Sequence, residues 1–557
     1  MICQGQPPKV VFLRGHVITQ SRPKSHQKNP QNEAPIESVV VKRAILMALG
    51  TLISRILGLL RDMALAALFP KIVTDAWGVA TRVPNLFRRL MGEGSLSASF
   101  LPIFVDVRLQ DLGGSHVSAK GKSHQLLNQF ATLLWMVLLT ITTVGILRAD
   151  VLTSLLVGSH FDGIAGKYEL TVHMAEIMLG FVFLVSTAGL FSCVLQALGY
   201  FGWPALAPAL FNVVMIIANF LPHWLGYADN LWLSGSTLAW GVLIGGACQV
   251  LILIPLLLKH SYLPKLSWPQ WNVDLKHVLK NMLPGIIGMG LLQGLGIINT
   301  RYAASLGEGS NTFLYLADRL LELPLSLISV SLGAALLPAL SEHWSKGEAE
   351  KLKSTAASAL GLNLFVAIPA AAGLFALARP IVSLLFGHGE FHGSDILVTA
   401  SVVQVSAATL LISSISRVIT PLFYAMKNTW IPALSSVIAT GLHLFMATWW
   451  MSQWGLAGLV GSTATSLLVQ VLLLAVLLEK RGGFFPWQKF FGSFFRFGVT
   501  SLPIFILGFA LDAKWSELGR LMQFGFLFLT IFISAGLYFG LARLQKISEL
   551  NLLMESL

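Results

Sequence analysis

Nine arginines and no lysine stand inside the long apolar stretches of this 557-residue chain. An ionisable residue in hydrocarbon costs roughly 2.5–3.5 kcal/mol on insertion scales, so it marks a hydrated cavity, a partner or a transport path. The first stretch carries Arg55, Arg61 and Asp62, and the second Asp75, Arg82, Arg88, Arg89 and Glu93. A later one carries Asp318, Arg319 and Glu322. Arg55 and Asp62, seven apart, share a helix face. Asp75, Arg82 and Arg89 recur at intervals of seven, which predicts one slowly drifting stripe along a continuous helix. Arg89 and Glu93 have the i,i+4 spacing of an intrahelical pair, and Glu322 stands four and three residues after Asp318 and Arg319.

Two chemistries fit these groups: internal salt bridges that hold a bundle, or an anion-binding cavity. The charges concentrate in three stretches instead of scattering. On the first two, five arginines face three acids, an excess of two positive charges. A guanidinium fork binds phosphate oxygens in bidentate fashion, which suits the choice of arginine over lysine. The pattern therefore favours a phosphate-bearing anion. Arg301, Arg379 and Arg417 lie near the ends of their stretches and are expected to snorkel to the interface.

The elements that must position these charges are membrane spans. Only 11% of residues are charged and 55% are hydrophobic, against roughly 25% charged in soluble domains. With a mean hydropathy of +0.72, this excludes an ordinary soluble enzyme, a disordered chain and a coiled coil. A span needs about 20 apolar residues. Candidates fall near 43–69, 74–105, 125–147, 170–198, 204–224, 231–258, 281–305, 311–341, 355–386, 396–424, 431–452, 457–478, 494–511 and 519–542, which makes fourteen. With the N-terminus in the cytosol, the cytosolic segments hold 24 of the 38 Lys and Arg and the opposite side only 5. That asymmetry predicts both termini inside. It also accounts for most of the net charge of +12 without nucleic acid.

Residues 1–40 are rich in Pro, Gln, Lys and Ser and read as a disordered cytosolic tail. A start site placed too far upstream would give the same stretch. Gly94–Pro102 resembles Val330–Pro338, and Trp203–Leu206 resembles Ile431–Leu434. Both matches lie six spans apart. The expected architecture is all-α, with an N-terminal lobe of six helices at 41–259 and a C-terminal lobe of six at 260–481. Two further helices and a cytosolic C-terminus follow at 482–557. Transporters built from such repeats place the substrate site between the halves.

Other motifs carry less. His388, Glu390 and His392 lack a metal-protease spacing and are expected in an external loop. Gly241 and Gly245, and Gly455, Gly458 and Gly461, make small-residue seams for helix packing. The pair Gly294 and Gly296 falls within a span and is no nucleotide fingerprint. There is no phosphate-binding P-loop motif and no Ser/His/Asp set, so neither ATP use nor enzymatic hydrolysis is expected. Cys3, Cys193 and Cys248 are too far apart in sequence to suggest a disulfide framework or a zinc site.

Several blocks carry a family resemblance. These are Ser54-Arg55-Ile56-Leu57-Gly58-Leu59-Leu60-Arg61-Asp62, Thr74-Asp75-Ala76, Pro84-Asn85-Leu86-Phe87-Arg88-Arg89-Leu90, Glu93-Gly94 and Phe100-Leu101-Pro102. Together with Tyr315-Leu316-Ala317-Asp318-Arg319-Leu320-Leu321-Glu322-Leu323-Pro324, they closely resemble the MurJ (MviN) family. Its members are bacterial lipid II flippases of the multidrug/oligosaccharidyl-lipid/polysaccharide exporter superfamily. The resemblance covers about residues 41 to 545. It implies fourteen helices around a central cationic cavity in the inner membrane, bordered by the arginines matching Arg55, Arg61, Arg88, Arg89 and Arg319. The acids matching Asp62 and Asp75 are implicated as well. Glu93, Asp318 and Glu322 join them as expected gating or cavity acids. The last two spans would form a lipid-facing groove for the polyprenyl tail.

The expected partners are lipid II, membrane lipids and the cell-wall synthesis machinery. A flippase for another polyprenyl-pyrophosphate oligosaccharide, of O-antigen or capsule type, would use the same charge logic. Some members hold sodium with acids on helices seven and eleven. This chain has no Asp or Glu from Leu275 to Leu306 or from Ile396 to Leu478. No cofactor or resident metal is expected, and membrane potential or protons are favoured as the energy source.

Overall fold

The structure, a computed structural model, describes residues 36–89, 95–113, 121–157, 161 and 164–551. Most of the expected tail, and Glu93, lie outside the described residues. The chain divides into Met1–Ile45 and Leu46–Leu557, and the second unit carries the site. Among the described residues every regular element is helical: α1 (Ile36–Leu68), α2 (Lys71–Ala80), α3 (Arg82–Phe87), α4 (Ser95–Gly113), α5 (Lys122–Leu147), α6 (Ala149–Leu156), α7 (Lys167–Ala197), α8 (Gly202–Trp224), α9 (Leu231–Leu251), α10 (Ile254–Lys259), α11 (Val273–Ala304), α12 (Ser310–Ser345), α13 (Ala349–Ala376), α14 (Ala378–Phe386), α15 (Ser394–Ala425), α16 (Trp430–Lys480), α17 (Trp487–Thr500), α18 (Leu502–Lys514) and α19 (Arg520–Leu544). Nine described helical segments are long and apolar enough to cross a bilayer, so this is a multi-pass membrane architecture.

Local chemistry sets the helix ends. Asn230 and Asn272 accept the Leu233 and Leu275 N–H groups at 3.0 and 2.8 Å and so start α9 and α11. Asp111, at the end of α4, accepts the Lys122 and Ser123 N–H groups at 3.0 and 2.8 Å and caps α5. The 51 residues of α16 would reach about 77 Å at 1.5 Å each, more than twice a hydrocarbon core of about 30 Å. The helix therefore turns back at Gly455, whose φ of 54° and ψ of −133° are far from helical. Beside the turn, a Cβ on Gly458 would sit 2.2 Å from the Trp450 carbonyl oxygen. The other small-residue seam packs α9 on α8: a Cβ on Gly241 would meet Ala218 at 2.6 Å, and one on Gly245 would meet Phe211 at 2.8 Å.

The candidate span 74–105 is not one continuous helix. It is interrupted at Thr81, whose hydroxyl donates to the Trp77 and Gly78 carbonyls at 2.9 and 3.2 Å. Pro84 lacks the N–H that would hold the carbonyl four residues back. The heptad stripe through Asp75, Arg82 and Arg89 is therefore broken, and its members point to different partners.

Three large apolar cores organise the bundle. One joins both halves of the chain: Leu65, Phe69, Val73 and Trp77 pack with Phe313, Leu314, Val382, Phe386 and Leu459. It lies at the end where α1 stops and α12 starts. Towards the opposite end the cores are separate. Leu96, Phe104, Phe130 and Leu257 form one, to which α11 contributes Leu275 and Val278. Leu340, Leu352, Leu478 and Phe485 belong to the other. The halves are thus fused at one end and separately packed at the other.

Candidate functional site

At the fused end, Asp75 is a buried clamp. Its carboxylate accepts from Lys167 Nζ at 2.7 Å, Gly309 N at 2.7 Å, Thr312 N at 3.0 Å and Thr312 Oγ1 at 2.7 Å. The N-terminus of α12 lacks a cap of its own because Gly309 has no side chain. Gly309 adopts φ 85° and a Cβ there would lie 2.5 Å from the Phe313 ring, so Asp75 supplies the cap from α2. Three more bonds cross nearby: Lys71 Nζ to Asp395 at 2.7 Å, Glu390 N to the Ala67 carbonyl at 3.0 Å, and Arg301 Nη1 to the Leu155 carbonyl at 2.8 Å.

About two turns further in, the Tyr315 hydroxyl is a hub. It donates to Asp62 Oδ1 at 2.9 Å and accepts from Arg61 Nη2 at 3.1 Å and from the Arg319 fork at 3.0 Å. Arg61 also grips Asp62 Oδ1 at 2.7 Å and donates to Asn212 Oδ1 at 3.0 Å. Asn212 in turn holds the Ser54 carbonyl at 2.8 Å. Arg319 reaches Asp62 Oδ2 at 3.2 Å and Glu322 Oε2 at 2.8 Å. The ring of Trp77 stands edge-on to Tyr315, 5.3 Å between centroids.

The outer tier continues from Glu322. Arg89 Nη2 binds Glu322 Oε1 at 2.6 Å, and Arg55 Nη1 lies 3.4 Å from the Glu322 carbonyl. The expected Arg89–Glu93 pair involves a residue outside the described set, whereas the resolved acid partner of Arg89 is on α12. Arg88 donates to Asn85 Oδ1 at 3.5 Å. Arg82 lies in the Coulomb field of Asp318.

Side-chain exposure rises along this path. Asp75 and Asp62 are 1% exposed, Arg61 9%, Arg319 23%, Arg89 36% and Glu322 37%. Asp318 is exposed to solvent although Arg82, Glu322, Arg89 and Arg319 surround it. Water therefore reaches the cluster from the side of the separate cores, while the fused end is sealed. Six arginines (Arg55, Arg61, Arg82, Arg88, Arg89 and Arg319) face three carboxylates (Asp62, Asp318 and Glu322), Asp75 being matched by Lys167. The excess is three positive charges, and counting Glu93 leaves two.

The structure thus brings Arg55, Arg61, Asp62, Arg89, Arg319 and Glu322 into one connected network, with Arg82 and Asp318 in its field. It sets Asp75 apart, as the clamp beneath. Sequence reasoning missed Tyr315 and Asn212. Tyr315 stands four residues before Arg319, a helical contact spacing; Asn212 was an isolated amide in an apolar stretch.

Among the described residues, an all-helical, multi-pass bundle with a charged cluster between its packed cores is the architecture of a membrane transporter. A solved structure described as "Lipid II flippase MurJ, inward closed conformation" superimposes with a TM-score of 0.67 at 21% identity, covering 89% of this chain and 99% of that one. An inward-facing multidrug-resistance MATE transporter superimposes at 0.63 with 16% identity, covering 79% and 98%. At these identities the likeness concerns the fold. The sequence model described as "Lipid II flippase MurJ" matches residues 64–529, and the chain belongs to the MurJ family. A relative from Bdellovibrio bacteriovorus, "Probable lipid II flippase MurJ", is 44% identical over 518 residues, 93% of this chain and 97% of its own. The "Lipid II flippase MurJ" of Burkholderia cenocepacia is 32% identical over 462 residues, 81% and 86% of the two chains.

Proposed function

We propose that this protein moves lipid II from the cytosolic to the outer leaflet of the bacterial inner membrane by alternating access, as a carrier and not an enzyme. The observation that carries the reading is the arginine-rich cluster, open to water from one end and sealed at the other. The sealed end holds the short loops around Phe69, Gly166, Leu306 and Gly387. The open end holds the Lys- and Arg-rich segments 106–124, 259–280 and 342–353 that the charge asymmetry assigns to the cytosol. The cavity therefore faces the cytosol, with both termini on that side. We read fourteen spans as two six-helix lobes, 41–259 and 260–481, followed by α17–α19 with a groove for the polyprenyl tail.

Arg89, Arg319, Arg55 and Arg88 are the half-buried guanidiniums that meet a pyrophosphate first. Arg61 is held below them by Asp62, Asn212 and Tyr315. Without an anion the net positive cluster resists closure of the lobes. Pyrophosphate cancels that repulsion and draws Arg89 on α3's side and Arg319 on α12 towards one ligand. Opening of the outer end then requires Asp75, which stays beside Lys167 in its own lobe, to leave the α12 terminus. Membrane potential favours return of an unliganded cationic cavity towards the cytosol, by about 2.3 kcal/mol per charge per 100 mV. Lipid II, the surrounding lipids and the cell-wall synthesis machinery are the partners, and the energy source is membrane potential or a coupling ion, with no cofactor.

The test is complementation of a flippase-depleted strain, together with accessibility of lipid II at the outer leaflet. Arg61→Ala and Arg319→Ala should each abolish rescue at unchanged protein level. Full growth from both would remove the cavity from the mechanism.

A further inference from the structure

His443 is wholly buried in the first arm of α16, outside the network that handles the anion. Its Nδ1 lies 3.0 Å from Ser462 Oγ in the second arm. The Ser462 hydroxyl has one hydrogen, and that hydrogen goes to the Leu459 carbonyl at 2.7 Å. With its hydrogen on Leu459, Ser462 accepts from His443, an arrangement that assigns the imidazole proton to Nδ1. Nε2 is left as a bare lone pair, buried and without a hydrogen-bond partner. From α11, the Tyr302 ring stands edge-on to the imidazole at 6.3 Å. One turn earlier on α11, Asn299 donates to Thr463 Oγ1 at 3.2 Å, and its own Oδ1 is buried without a partner. A polar seam thus joins α11 to both arms of α16 inside an apolar core of Ala447, Met451, Leu456 and Val460.

Among the described residues, no charge balances this histidine. The elements against it are α11, α15 and its own helix. On α11, Tyr302 faces it, and Arg301 is turned away to the Leu155 carbonyl. Asp274, Lys276, His277 and Lys280 lie at the far end of that helix. On α15, Asp395 is bound to Lys71, and Arg417 and Tyr424 lie towards the opposite end. On α16, Glu479 and Lys480 close the helix more than thirty residues away.

We propose that His443 Nε2 is a proton-binding site whose occupancy loosens the contact between α11 and the two arms of α16. The lone pair takes a proton from hydronium, one O–H bond breaks to leave water as the N–H bond forms, and Nδ1–H stays on Ser462. The resulting imidazolium has no counter-charge, so it is stable only where water reaches it. Water reaches it when Tyr302 and Asn299 move away. α11 runs from the core of the first half to the sealed end beside α12, so its displacement there bears on the gate. This inference rests on the transport reading for its purpose but not for its chemistry.

The test uses the full chain in lipid nanodiscs, without lipid II. Nitrogen-15 histidine spectra should show His443 as the Nδ1–H tautomer near neutral pH, identified by loss of the signal in His443→Gln. Spin labels at positions 305 and 452 should move apart in a single protonation step between about pH 8 and about pH 4, and that step should vanish in His443→Gln. An Nε2–H tautomer, a distance insensitive to pH, an unchanged pH response in the Gln variant, or a distance that follows sodium at fixed pH would each overturn the proposal. Should His443→Gln misfold, His443→Asn makes the same assignment, and the tautomer itself is read on the unmodified protein. Failure here leaves the flippase reading intact, since that reading is tested by the arginine variants.

Discussion

Asp75→Asn probes the clamp at the sealed end with the loss of one charge and almost no change in shape. In the sealed state the substitution leaves the Lys167 ammonium, 2% exposed, against a neutral amide. It also turns an acceptor of four hydrogen bonds into a group that must present donors to some of the same N–H atoms. Removing one partner of a buried pair costs about 3–5 kcal/mol. When the end opens, water solvates Lys167 and the α12 terminus, so most of that cost falls on the sealed state. At about 1.4 kcal/mol per factor of ten, the open population should rise at least ~100-fold. Ser310, buried next to the clamp, reports it. In a background lacking the native cysteines, Ser310→Cys should react with a membrane-impermeant maleimide at least ~100-fold faster when Asp75 is Asn. Adding Lys167→Met, which removes the stranded ammonium, should bring the rate part of the way back. An unchanged rate in folded Asp75→Asn protein would refute the assignment of Asp75 as the gate.

Two further predictions concern the hub and a loop. Tyr315→Phe keeps the ring against Trp77 but removes the hydroxyl shared by Asp62, Arg61 and Arg319; lipid II translocation should fall at least ~10-fold with normal folding, since a hydrogen bond to a charged group is worth about 1.5–3 kcal/mol, and wild-type flux would show that the hub is dispensable. Asp111 titrates at the end of α4: burial pushes its pKa up, but the Ser123 and Lys122 hydrogen bonds outweigh this and hold it below the usual carboxylate value. Its folded pKa lies below the unfolded one, so the cap is fully stabilising above the unfolded value and is lost as pH falls through the folded value. Amide exchange at Lys122 and Ser123 should therefore speed up in acid beyond the intrinsic rate, and Asp111→Asn should remove that pH dependence.

The membrane class and the helical stretches were legible because apolar length is a local property. So was the placing of a few charges inside the apolar stretches, because insertion into hydrocarbon makes each one conspicuous. Their partners were not legible. Arg89 binds Glu322, 233 residues on, a partner that no local spacing announces, while the expected pairing with Glu93 falls outside the described residues. The stripe through Asp75, Arg82 and Arg89 assumed a continuous helix, and Thr81 with Pro84 interrupts it. Asp75 was expected among the gating and cavity acids, but its partners could not be named, because nothing local announces that α12 begins with an uncapped glycine. Asn212 and Tyr315 escaped because neutral groups carry no insertion penalty that would single them out, although they fix the geometry of Arg61 and Arg319.

The arrangement of the cores has a thermal consequence. Parting the fused end bares Trp77, Phe313, Leu314 and their neighbours, and apolar surface exposed to water raises heat capacity. The separate cores at the other end must come together in the same motion, which removes apolar surface of the same kind. A switch that exchanges one hydrophobic seam for another has a heat-capacity change near zero. Its equilibrium should then follow a straight van't Hoff line, so warming or cooling the cell would tilt the balance between the two mouths steadily and never through a maximum.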